Sequence, residues 1–167
     1  MPTTPKETFL DVFQQEQERT MRVLRAYPDE HSDFRPHERS NTARQVAWPI
    51  VTGQEVLMVK GVTTGFDWSK PSGGPPPAPA KMSEIAAAAE RAHGKAVDAI
   101  QAADEATMEG TVKFFTAPKT IGDVPTLHFL WMILHDQIHH RGQLSVYLRM
   151  VAKVPSIYGP SGDEPFR

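Results

Sequence analysis

The chain of 167 residues contains no cysteine, and this absence removes several kinds of chemistry at once. Disulfide frameworks, thiolate zinc sites and cysteine nucleophiles are all excluded. The chain also lacks a concentrated run of lysine and arginine, and its formal net charge is −2. Because nucleic-acid binding requires a basic face that displaces phosphate counterions, we expect no nucleic-acid partner.

Long apolar runs and a secretory leader are missing as well. The longest apolar-rich stretch covers residues 127–134, which is far shorter than the ~20 residues that a membrane-spanning helix needs. The N-terminal sequence MPTTPKETFL has neither the basic start nor the apolar core of a signal peptide. We therefore expect a cytoplasmic protein without a membrane anchor.

What the sequence does contain is helical periodicity. Apolar residues recur at steps of three and four residues, which is the spacing of one helix face. Thr42 and Gln45 have the spacing of a capping box, and Pro49 predicts a kink about two turns later. We predict four helices, at about residues 5–27, 42–61, 82–106 and 124–151.

Proline and glycine mark the segments between these helices. Residues 62–80 form a long proline-rich connection, residues 110–115 are partly β-like, and residues 116–123 are predicted to be a loop. The residues after 151 are predicted to form an extended, proline-rich tail. Four helices without a convincing sheet predict an all-α fold, an up-down four-helix bundle, in one domain over residues 1–167.

The last predicted helix carries the polar side chains of greatest chemical interest. At 100° per residue, Asp136, His140 and Gln143 share one stripe, which we predict to point into the bundle, with Arg141 on the solvent side. Gln54 lies on the inward stripe of the second helix. Because buried polar groups need partners, these four inward residues form either a hydrogen-bonded network or a site that holds a ligand or metal.

A second pair on the same helix, His135 and His139, has the i, i+4 spacing that suits a divalent ion. Ligand type favours this pair, whereas the predicted facing favours Asp136 and His140. The alternative interpretation is that His135 and His139 are partly exposed histidines beside a helix interface.

Residues 135–149 read HDQIHHRGQLSVYLR, and KVPSIYGPSGDEP follows at 153–165. Together they resemble the C-terminal signature of the DinB/YfiT-like superfamily. Residues 42–61, TARQVAWPIVTGQEVLMVKG, resemble its second helix. The resemblance implies a four-helix bundle, often dimeric, with a divalent metal held by one ligand from the second helix and an i, i+4 pair from the last.

The resemblance also indicates which residues would occupy those ligand positions. The last ligand directly precedes Arg-Gly-Gln in this superfamily, so Asp136 and His140 take the places of the pair. Pro49 and Ile50 stand where the second-helix histidine is usual, and neither side chain can bind a metal.

The function implied by the resemblance is that of a thiol transferase or hydrolase that depends on zinc, nickel or iron. A low-molecular-weight thiol would come from solution, a neighbouring histidine would act as general base, and the protein would be a homodimer. Gln54 and Gln143 are the candidates for cofactor or ligand contacts. The alternative is a metal-free dimeric bundle that binds a small ligand or has only a structural role, and the missing second-helix histidine favours it.

Overall fold

The computed structural model describes residues 4–70 and 73–158 of the chain. Helix α1 (Pro5–Ala26) begins with a capping box between Thr4 and Glu7 and has proline at its first position. It ends where Tyr27 precedes Pro28, because a residue before proline is pushed out of the helical conformation. A short 3₁₀ turn, Asp29–His31, follows.

The second helical stretch consists of three consecutive pieces. Helix α2 (Ala43–Thr52) begins with the predicted capping box between Thr42 and Gln45 and contains Pro49. It continues as a π segment (Gly53–Met58) and as helix α3 (Val59–Thr63). The predicted interruption by proline is thus followed, one turn later, by π-helical hydrogen bonding. The helix runs past the predicted end at Gly61 to Thr63, and Gly65 then adopts a φ of 76°.

Helix α4 (Met82–Ala102) ends four residues before its predicted end near residue 106. Asp104 begins a new helix, α5 (Glu105–Glu109), because its carboxylate accepts a hydrogen bond from the Thr107 backbone N–H at 2.8 Å. Capping of this short helix explains why the continuous run of good helix formers does not give one continuous helix.

A β-hairpin precedes the last helix, so the predicted loop over residues 116–123 is wrong. Strands β1 (Thr111–Ala117) and β2 (Thr120–Pro125) pair in antiparallel fashion, with Val112 opposite Val124. Val112 and Phe114 point into the core from alternate positions of β1. Helix α6 (Thr126–Val151) starts after the hairpin instead of near residue 124, and Pro125 is its N-cap.

Helices α1 and α2 occupy opposite corners of the bundle, and each packs against both α4 and α6. The all-α prediction is therefore confirmed, with the hairpin as an addition. Residues 153–158 form neither helix nor strand, and the rest of the predicted tail, residues 159–167, lies outside the described residues. Among the described residues, no helix is long and apolar enough to cross a membrane.

Two apolar clusters form the core, one toward each end of the bundle. The first, which we call cluster one, includes Leu24, Ile50, Ile85, Leu144 and Leu148. The second, cluster two, includes Phe9, Phe13, Met58, Ile100 and Phe129. The buried side chains that lie between the two clusters along α1, the π segment and α6 are polar, and they form the network described below.

Candidate functional site

The rotation of α6 about its axis differs from the predicted one. Arg141 and Gln137 are buried, each with 2% of its surface exposed. Asp136 and Gln143 are exposed, and His140 is half-buried. The prediction of an inward direction is therefore wrong for Asp136 and Gln143. The prediction that Arg141 faces solvent is also wrong.

Three buried glutamines meet at the centre of the bundle. Gln54 Nε2 donates to Gln17 Oε1 at 3.0 Å and to Gln137 Oε1 at 2.6 Å. Gln137 Nε2 in turn donates to Thr20 Oγ1 at 3.3 Å. The inward prediction for Gln54 is confirmed, since it has no exposed surface. Its partners, however, are Gln17 and Gln137 rather than Asp136, His140 or Gln143.

An ion pair adjoins the glutamines within the same polar layer. Arg141 Nη1 donates to Glu16 Oε2 at 2.6 Å, and both side chains are almost fully buried. The Tyr158 hydroxyl donates to the same carboxylate oxygen at 2.8 Å and accepts from Arg141 Nη2. Burial by itself would raise the pKa of Glu16, but the hydrogen bonds and the charge of Arg141 outweigh burial and lower it. Burial and the bond to Glu16 raise the pKa of Tyr158.

Asp136 and His140 lie together at the border of α6 with solvent. The Asp136 Oδ2 atom is 3.4 Å from His140 Nε2, and the exposed fractions of the two side chains are 56% and 20%. This separation exceeds that of a charge-assisted hydrogen bond, about 2.7–2.9 Å. It equals the distance of about 3.4 Å between two ligand atoms that bind one zinc ion at tetrahedral angles.

His135 and His139, the second candidate pair, have different partners in the structure. His139 Nε2 accepts a hydrogen bond from the Gln143 amide nitrogen at 3.0 Å, one turn further along the exposed face. His135 is exposed, and its ring lies 6.1 Å from the ring of Trp131. The exposed face of α6 thus has two separate contacts, Asp136 with His140 and His139 with Gln143.

Asp136 and His140 offer a carboxylate and an imidazole, which suit two of the ligand positions of one divalent ion. Among residues 4–70 and 73–158, no third histidine, cysteine, aspartate or glutamate completes a group of three. The Nδ1 atom of His140 is buried and has no hydrogen-bond partner within that part of the chain, whereas a metal-binding imidazole normally donates from its second nitrogen. Asp136 and His140 thus have the chemistry of two metal ligands, whereas the support from the second imidazole nitrogen is missing among the described residues.

Comparison with known proteins places the chain in a family. A sequence model of the DinB family matches residues 1–165. The chain belongs to the DinB family. This confirms the resemblance of the last helix and its following residues to the DinB/YfiT-like signature, and with it the bundle fold.

Two solved structures are similar to this DinB-family chain over nearly its whole length. A DinB-like protein from Bacillus cereus has 26% sequence identity and a TM-score of 0.72, with 91% of this chain and 97% of that chain covered. The DinB-like protein YjoA from Bacillus subtilis has 18% identity and a TM-score of 0.69, with 90% and 96% covered. No curated protein matches the chain significantly.

The polar layer of this DinB-family bundle contains residues that sequence reasoning missed: Glu16, Gln17, Gln137 and Tyr158. A signal for Gln137 and Arg141 was present, because both share the periodicity of Leu130, Leu134, Leu144 and Leu148 on α6. Glu16 likewise shares the three- and four-residue spacing of Phe9 and Phe13 on α1, which indicates burial but not a partner. For Tyr158 no comparable signal existed, because its role depends on packing between distant parts of the chain.

Proposed function

We propose that this DinB-family protein is a thiol transferase or hydrolase that works with a divalent metal ion held by Asp136 and His140. The observation that carries the proposal is the 3.4 Å separation of Asp136 Oδ2 and His140 Nε2 on an accessible face of α6. Zinc, nickel and iron all accept a carboxylate and an imidazole. We also propose that the protein works in the cytoplasm.

A divalent ion at this position would lower the pKa of a bound thiol or water toward neutrality. The chain itself would supply the other functions. His139 is the neighbouring exposed imidazole, with its ring 5.8 Å from that of His140, and its Nε2 atom can accept a proton from a substrate once Gln143 no longer donates to it. Gln143, which donates to His139, orients that ring. Because the chain has no cysteine, a reacting thiol must come from solution.

Removal of the His140 imidazole is expected to weaken zinc binding at least about tenfold, because it would take away one of the two protein ligands proposed among the described residues. The test is calorimetric titration of the untagged, chelator-treated protein with Zn²⁺ and Ni²⁺, compared with His140→Ala and Asp136→Asn. His135→Ala, an exposed histidine of the same helix, is the matched control and should bind like the wild type. Loss of binding in His135→Ala or His139→Ala instead would place the ion at the second pair.

A second candidate function is a metal-free bundle that binds a small ligand or has only a structural role. Two observations favour it. Pro49 in α2 replaces the ligand that the second helix would supply. The Nδ1 atom of His140 has no hydrogen-bond partner among the described residues to hold the imidazole in place. A wild-type protein that is metal-free as purified and shows no heat of zinc or nickel binding would support this candidate and contradict the first.

We further propose a homodimer. Val146 and Met150 on α6 are 53% and 57% exposed, and a partner that covers them would gain apolar burial. Light scattering is expected to give twice the mass of one chain. Val146→Lys and Met150→Glu together should return the mass to that of one chain, whereas a wild-type monomer at the highest concentration measured would refute the proposal.

A further inference from the structure

The residues that follow α6 fold back onto the bundle beside α1. We call residues 153–158 the strap. Val154 has 3% of its surface exposed and belongs to cluster one, and Ile157 packs against that cluster. Arg22 Nη1 of α1 donates to the backbone oxygen of Ser156 at 3.1 Å. The strap therefore covers part of the α1–α6 side of the bundle without forming a helix or strand itself.

Tyr158 connects the end of the strap with the buried polar layer. Its hydroxyl contacts both Glu16 and Arg141, although 59% of the tyrosine surface is exposed. The Arg19 guanidinium lies 4.7 Å from the centre of the Tyr158 ring, and that of Arg141 lies 5.3 Å from it. A single exposed side chain thus closes the solvent side of an otherwise buried ion pair.

The other partners of Arg141 come from the bundle itself. Arg141 Nη1 contacts Glu16 Oε2 at 2.6 Å, the Glu16 backbone oxygen at 3.3 Å and Thr20 Oγ1 at 3.4 Å, all from α1. Among the described residues, the strap contacts Arg141 only through Tyr158, whose hydroxyl accepts from Nη2 and whose ring lies against the guanidinium. Departure of the strap would therefore leave the arginine paired with its carboxylate, and the two helices would keep their own contacts.

This division of contacts makes opening of the strap separable from unfolding of the bundle. A buried charge that lost all its partners would oppose opening strongly, but here the Glu16–Arg141 pair persists. We propose that the strap opens and closes on the folded bundle, with Tyr158 as its closing contact, and that opening exposes the Arg141 guanidinium to solvent. The inference is independent of the proposed metal site, because among the described residues Asp136 and His140 contact each other and neither the strap nor the ion pair.

The test is the rate at which phenylglyoxal labels Arg141 in the full-length protein, followed by mass spectrometry at increasing urea concentrations. In the wild type, labelling at low urea is expected to be nearly independent of urea, because local opening exposes little surface. In Tyr158→Phe, which lacks the hydroxyl, the rate should rise at least tenfold. Tyr147→Phe is the matched control, since that hydroxyl donates to the Asn41 backbone oxygen, and its rate should equal that of the wild type.

Two results would overturn the inference. If Arg141 is labelled only in step with global unfolding, with the full urea dependence of unfolding, the strap is a fixed part of the core and the inference is wrong. An equal Arg141 rate in Tyr158→Phe and in the wild type would likewise overturn the role of the hydroxyl. Should Tyr158→Phe fail to fold, the urea dependence of labelling in the wild type alone decides between local opening of the strap and a strap that is a fixed part of the core.

Discussion

Replacement of Glu16 by glutamine is expected to lower the free energy of unfolding by about 3 kcal/mol. The substitution keeps the shape of the side chain but removes the only carboxylate that the buried Arg141 guanidinium contacts among the described residues. Breaking a buried ion pair by removing one partner costs about 3–5 kcal/mol, because the remaining charge stays buried without compensation. We place the effect at the lower end, because the glutamine oxygen can still accept one hydrogen bond.

Urea denaturation at neutral pH measures the effect. Glu18→Gln is the matched control, because Glu18 is an exposed glutamate on the same helix, and its change should stay within about 0.5 kcal/mol. Replacement of both Glu16 and Arg141 by apolar residues should cost less than the two single changes added together. Equal stabilities of Glu16→Gln and Glu18→Gln would mean that the ion pair contributes nothing to folding.

The cost of the Glu16 substitution should depend on pH in a defined direction. The pKa of Glu16 is lowered in the folded state, so its carboxylate stabilises the fold above the pKa of the unfolded chain. That contribution is lost as the pH falls through the folded-state pKa. The difference between wild type and Glu16→Gln is therefore largest near neutrality and should shrink in acid, whereas the difference for Glu18→Gln should stay small throughout.

The sequence predicted the helices well because local signals determine most of their starts and ends. Thr42 with Gln45, and Tyr27 before Pro28, act through contacts within one turn of chain. The hairpin was predicted only in part, because Thr116–Asp123 is short and polar and its strand conformation depends on pairing with β1. Gly61 has the position of a helix end in the sequence, but its lack of a side chain is needed inside the helix, against Phe129.

The polar stripe of Asp136, His140 and Gln143 does not mark the inward face of α6. Measured from Asp136, the buried residues Leu130, Leu134, Leu144 and Leu148 lie at about 80–160°, and Arg141 lies within that arc at about 140°. The apolar positions therefore identify the inward face, and the arginine on that face has to be accepted as buried. Its partner Glu16 is 125 positions away in sequence, so no local pattern predicts the pair.

Local patterns in the sequence also do not predict whether a complete metal site forms. The i, i+4 rule places Asp136 near His140 from sequence alone, and the structure gives the separation of their ligand atoms. Whether other groups complete a site depends on which residue of α2 faces that point. Pro49 changes the hydrogen bonding of that helix and is followed by the π segment, so a constant 100° per residue, which gave the inward facing of Gln54 correctly, becomes unreliable further along the helix.

Two glycine-to-alanine substitutions within helices are expected to have opposite effects on stability. A Cβ at Gly61 would lie 2.6 Å from Phe129 Cε1, whereas a Cβ at Gly142 would meet nothing within 4 Å. Alanine gains about 1 kcal/mol over glycine in a helix, so Gly142→Ala should raise the free energy of unfolding by about that amount. Gly61→Ala should lower it by about 1–2 kcal/mol, because overpacking of a filled core costs more than this gain.

The sign at Gly61 depends on whether the Phe129 ring can move. That ring has no exposed surface and packs against Phe66 and Phe114, with centroids at 6.0 Å and 5.0 Å, so a shift would disturb the aromatic part of cluster two. Thermal and urea unfolding of Gly61→Ala, alone and combined with Phe129→Leu, measures this constraint. The smaller leucine should relieve the clash, so the double variant should be more stable than the sum of the two single changes predicts. Stabilisation by Gly61→Ala alone would instead show that the α3–α6 contact has room to adjust, and the glycine would then be dispensable for helix packing.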